Sequence, residues 1–104
     1  MGDGVAGGTS GSWEIYVDCG RGGSVREPEA VFYHGRYARR FGTGNTSLSM
    51  AVLSHDRIHV RGVITFDNGL VDPVDAIGSG AGGLFTGSAR YGKTTGCPFT
   101  AIRH

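Results

Sequence analysis

Twenty of the 104 residues are glycine, close to three times the average share of about 7%. Each glycine inside a helix costs roughly 1 kcal/mol against alanine, so long helices are disfavoured along the whole chain. With three prolines and no three-residue glycine period, a collagen-like triple helix is excluded too. What remains is a chain rich in turns, where glycine supplies the positive φ that tight turns and bulges require. The length suits one domain. It is short for a barrel of alternating strands and helices or a complete nucleotide-binding fold, the usual enzyme scaffolds.

Residues 1–12, rich in Gly, Ser and Thr, read as a flexible tail, and residues 13–104 as a single domain. Trp13 to Cys19 alternates apolar and polar, the period of a half-buried strand, with Trp13, Ile15, Val17 and Cys19 on one face. A Gly/Arg loop is expected over Gly20–Pro28, then one or two strands over Ala30–Phe41, broken near Gly35. Thr46–Leu53 places Leu48, Met50 and Val52 on one face. Ser54 to Arg57 reads as a hairpin turn, Ile58–Phe66 as a central strand, and Asp67-Asn68-Gly69 as a strong hairpin signal. Leu70–Ile77 continues extended, with Pro73 marking an edge or a bulge. Gly78–Gly83 reads as a turn, and Leu84–Tyr91 and Gly96–Arg103 as the last strands. The expected fold is all-β: an antiparallel meander of about eight strands, closed as an up-and-down barrel with first and last strands paired.

The two ends support that closure. If they pair antiparallel with position numbers adding to 116, Cys19 faces Cys97, Val17 faces Phe99, Ile15 faces Ala101 and Trp13 faces Arg103. Residues on the apolar face of the first strand then meet residues on one face of the last, as an antiparallel pair requires. A Cys19–Cys97 disulfide is expected, and Arg103 over Trp13 is expected to close the barrel end through cation–π attraction.

Gly11-Ser12-Trp13 together with Arg103 resembles the calycin signature of lipocalins, avidins and small bacterial metalloprotease inhibitors. In those proteins a Gly-x-Trp opens the first strand, and a basic side chain from the closing strand packs across the Trp. Length and a single disulfide look most like the inhibitor branch. The chain departs from that branch in lacking an apolar reactive segment near its start.

Other motifs dissolve on inspection. Gly87 to Thr94 matches the G-x-x-x-x-G-K-T phosphate loop, but the ten residues that follow include Cys97 and Pro98 and leave no room for the helix whose amides hold phosphate. Gly78 to Gly83 matches G-x-G-x-x-G and reads as a turn before a strand. His55 and His59 share a face only on a helix, and Ile58–Phe66 is extended, so no metal is expected. Ser54-His55-Asp56 are consecutive and cannot converge as a relay. Asn45-Thr46-Ser47 is a glycosylation sequon, meaningful in a eukaryotic source.

Phe32 to Phe41 interleaves aromatics with arginines, and Tyr33, His34, Arg36, Tyr37, Arg39 and Arg40 form the candidate binding surface. The formal net charge of +1 carries no basic excess, so no nucleic acid partner is expected. No apolar run approaches the ~20 residues that cross a bilayer, so no membrane is expected either. The disulfide implies an exported protein, periplasmic or extracellular, whose Met1-Gly2 start stands in place of a removed signal peptide. The expected function is a non-enzymatic, monomeric binding protein without cofactor, acting on a protein partner as a protease inhibitor does. One alternative is a carrier of a small apolar ligand in the barrel interior. Another is a secreted ribonuclease with Glu27 or Glu29 as base and His34 as acid.

Overall fold

The computed structural model describes residues 10–104. They form β1 (Gly11–Asp18), β2 (Ser24–Phe32), β3 (Arg36–Phe41), β4 (Gly44–Ser54), β5 (Arg57–Phe66), β6 (Val71–Ala81), β7 (Leu84–Tyr91) and β8 (Thr94–Arg103), with one 3-10 turn at Gly20–Gly22. The strands make a single antiparallel sheet in the order β2-β1-β8-β7-β6-β5-β4-β3, curled into a nearly closed barrel. The end-to-end register is the expected one: Trp13 opposite Arg103, Ile15 opposite Ala101 and Val17 opposite Phe99. Cys19 and Cys97 are disulfide-bonded just beyond it. The Arg103 guanidinium lies 5.7 Å from the Trp13 ring centroid.

Closure through β1 and β8 moves the open edge elsewhere. β2 and β3 follow one another in sequence, yet they pair only at the tip of their hairpin, through Tyr33 and Arg36. Below that bridge the two strands diverge, and this seam is the unsealed line of the barrel. His34 (φ 51) and Gly35 (φ 78) form the tip. Positive φ at both central residues is what a two-residue hairpin turn with the twist of its strands needs.

Alternation fills the interior. Trp13, Ile15, Phe32, Leu48, Val60 and Phe99 are each no more than 1% exposed. Phe85 packs against Trp13 at 5.7 Å between ring centroids.

Several expected boundaries shift. The tail expected over residues 1–12 lies, up to residue 9, outside the described residues, while Gly11 and Ser12 already belong to β1. The loop expected through Pro28 ends earlier, because β2 begins at Ser24. Between Trp13–Ala30 and Ile15–Glu27 the register slips, so Pro28 and Glu29 together oppose Glu14 in a bulge. That extra residue changes the phase of β2: Val25 and Glu27 point inward below it, Ala30 and Phe32 above it. The turn expected over Gly78–Gly83 shrinks to Gly82-Gly83, since β6 runs to Ala81 with Gly78 opposite Gly87. Pro73 does not mark an edge, because β6 lies between β5 and β7. It is tolerated because the ladder to β7 begins only at Val74.

Candidate functional site

Of the described residues only two polar ones are buried, Glu27 and Thr46, each 2% exposed. Both face the seam. Pro28 has no N–H to offer a ladder and suits an edge strand, and the bulge beside it holds Glu27 on the inward face of β2. From β3, Arg39 reaches across the gap, its Nε donating to Glu27 Oε1 at 2.7 Å and its Nη2 to Oε2 at 2.9 Å. The Tyr37 hydroxyl donates to Oε1 at 2.6 Å, and the Thr46 hydroxyl of β4 to Oε2 at 3.3 Å. Four donors saturate the four lone-pair sites of the carboxylate. Side chains hold the seam where backbone hydrogen bonds do not.

The electrostatics follow from this geometry. Burial pushes the Glu27 carboxyl up, but the hydrogen bonds from Arg39 and Tyr37, the Arg39 charge and the Thr46 hydroxyl together hold it below the usual carboxylate range. Burial and the neighbouring Glu27 push the Tyr37 hydroxyl up to about 12. Arg39, hydrogen-bonded to Glu27, is held even more firmly in its charged form.

Inside the seam, at the barrel end that carries the β3–β4 turn, lies a cavity of about 260 Å³. Val25, Phe41, Ile64, Phe66 and Tyr91 give it apolar walls, and Glu27, Arg39 and Thr46 stand along its polar side. Phe41 and Phe66 meet edge to face at 6.0 Å, and the Arg39 guanidinium lies 5.6 Å from the Phe41 centroid.

The six residues of the expected binding surface divide into two groups and an outlier. Tyr33, His34 and Arg36 sit at the β2–β3 hairpin tip, where Tyr33 is 73% exposed and its ring meets the His34 ring at 4.1 Å. Tyr37 and Arg39 turn into the seam. Arg40 forms a two-pronged pair with Asp67, both distances 2.9 Å. A ribonuclease pair is not assembled: Glu27 is buried and fully hydrogen-bonded, and His34 lies at the hairpin end, roughly 20 Å along β2 at strand rise. Glu29 is exposed in the bulge.

The stretch matching the phosphate loop is β7, the turn at Gly92-Lys93 and the start of β8, with no helix. Ser54 and Asp56 bond each other within the β4–β5 turn at 2.6 Å. His59 pairs with Asp75 at 2.6 Å on the outer face. Among the described residues no three His, Cys, Asp or Glu side chains converge as metal ligands would.

The sequence offered Glu27 only as a candidate base and Thr46 only within a sequon and a strand, not as a buried pair at the seam. The signal for Thr46 was present, since it shares even-numbered parity with Leu48, Met50 and Val52 on the inward face of β4. No family model, curated protein or solved structure matches the chain.

Proposed function

We propose that the protein is an exported, non-enzymatic β-barrel that binds a protein partner through its outer surface around the β2–β3 hairpin, in the manner of a protease inhibitor. The observation that carries this reading is the filled interior. An eight-stranded barrel either packs its own side chains inside or holds one small ligand there, and here Trp13, Ile15, Phe32, Leu48, Val60 and Phe99 occupy the middle. That packed middle favours recognition of a protein partner by the outside of the barrel. At the hairpin, Tyr33 and Val31 are 73% and 60% exposed, beside Arg36. Tyrosine and arginine are the residue types that dominate interface hot spots. The Cys19–Cys97 bond supports an oxidising compartment.

The test is a titration against a panel of secreted serine and metalloproteases. Stoichiometric inhibition, lost in the Tyr33→Ala/Arg36→Ala double variant, supports the reading. Absence of inhibition together with one-to-one uptake of an apolar fluorescent probe into the barrel replaces it with a carrier. RNA cleavage that disappears in His34→Ala replaces it with a nuclease.

A further inference from the structure

The seam contains more than a structural ion pair, because a cavity lies directly behind it. Glu27 has no acceptor capacity left: Oε1 takes Arg39 and Tyr37, and Oε2 takes Arg39 and Thr46. A ligand cation entering the cavity would find that carboxylate already satisfied. Arg39 is different. Nε and Nη2 face Glu27, while Nη1 meets no acceptor among the described residues and the side chain remains 46% exposed. Arg26 borders the cavity from the outer face of β2, its guanidinium 5.4 Å from the Tyr16 ring centroid, so the donors left for a ligand are those of Arg39. The remaining wall is apolar and largely aromatic, from Phe41, Phe66, Tyr91, Ile64 and Val25.

A volume of about 260 Å³ is just below the range that takes drug-sized ligands, roughly 300–1,000 Å³. It suits a body of one ring or a short branched chain. We propose that the β2–β3 seam is a binding site for a compact amphiphilic monoanion, a small aromatic or branched carboxylic acid, with its apolar body in the cavity against Phe66, Ile64 and Tyr91 and its carboxylate on the outward N–H groups of Arg39. Arg39 then has two anionic partners, Glu27 on one edge of the guanidinium and the ligand on another. Planar, multi-donor geometry allows this where a lysine ammonium would have to choose. The site is lateral and independent of the hairpin surface, so it stands or falls separately from the protease-directed reading.

Backbone amide NMR titrations with benzoate, benzyl alcohol and benzylamine test the proposal, since the three probes share a ring and differ in head group. Benzoate is expected to bind with a dissociation constant on the order of 1 mM or tighter. It is expected to shift amides of Val25, Phe41 and Phe66, and to bind at least roughly tenfold more tightly than either other probe. Arg39→Gln, checked for an intact spectrum, is expected to weaken benzoate by a similar factor. Arg39→Lys, which keeps a charge beside Glu27 but not the second row of donors, decides the matter if Arg39→Gln does not fold, and is expected to weaken benzoate by a similar factor. A smaller preference for benzoate overturns the proposal. So do absent seam shifts at about 10 mM, or undiminished binding in a folded Arg39→Lys protein.

Discussion

Glu27 and Arg39 join two consecutive strands that their own backbones leave unpaired below the hairpin tip, through parallel contacts of 2.7 and 2.9 Å across the β2–β3 seam. The two partners are unequal. Glu27 is buried, whereas Arg39 is nearly half exposed. Removing one partner of a buried pair costs most when the charge left behind cannot reach water.

Arg39→Met therefore strands an ionised carboxylate and is expected to destabilise by about 3 kcal/mol, the lower end for broken buried pairs because Arg39 is partly hydrated. Glu27→Met lets Arg39 return to water and strands only the Tyr37 and Thr46 hydroxyls, at about 1 kcal/mol. Urea denaturation of the two single variants measures the asymmetry, and equal losses would show that the pair is not anchored on a buried glutamate.

The same pair sets a pH dependence. The folded-state pKa of Glu27 is lowered from 4.5, so the folded protein binds that proton less readily than the unfolded chain. Its contribution is complete above pH 4.5 and lost as pH falls through the lower folded value. Tyr37 runs in the opposite sense. Raised from 10.0 to about 12, it contributes below pH 10 and is lost as pH rises toward 12. Denaturation of wild type and Glu27→Gln across acid pH should give curves that converge below pH 4.5. Ultraviolet titration of wild type minus Tyr37→Phe should show one phenol ionising near 12.

The Cys19–Cys97 bond spans 78 residues of sequence, nearly the whole barrel. In the loop-entropy account such a closure contributes about 4 kcal/mol. The Cys19→Ser/Cys97→Ser variant is expected to melt roughly 20 °C lower, by calorimetry under conditions where wild type stays oxidised.

Gly78 lies under the Phe99 ring, and a Cβ there would stand 2.8 Å from Phe99 Cε2. Phe99 is 1% exposed and has little room to yield. Gly78→Ala is expected to cost about 1–3 kcal/mol, as overpacking does. Gly42→Ala in the β3–β4 turn, where a Cβ meets nothing within 4 Å, should stay within about 0.5 kcal/mol. Thermal unfolding of the two variants gives the comparison.

These residues also show what the sequence could and could not reveal. The β1–β8 register was legible because β1 and the paired stretch of β8 hold their alternation without interruption, and because two cysteines pin its end. The seam was not, because the bulge at Pro28-Glu29 inserts one residue and reverses the inward parity of β2 midway. Read with constant parity, Glu27 and Phe32 cannot share a face, and a loop becomes the simpler reading of Gly20–Pro28. The hairpin at His34-Gly35 could be read as a break, but not that its strands separate below it. That separation follows from β2 taking β1 as its ladder partner and β3 taking β4. The site at the seam is therefore a consequence of pairing choices no local pattern carries.

Amide hydrogen exchange along β3 addresses most directly the claim that side chains, not backbone, close this barrel. Met50 N–H donates to Gly35 O, and alternation down the antiparallel ladder then turns the Tyr37 and Arg39 amides toward β4 and the Ala38 and Arg40 amides toward the seam. Fast exchange at Ala38 and Arg40, with slow exchange at Tyr37 and Arg39, is the expected result. Slow exchange at all four would mean that β2 and β3 share a continuous ladder, and would contradict the account.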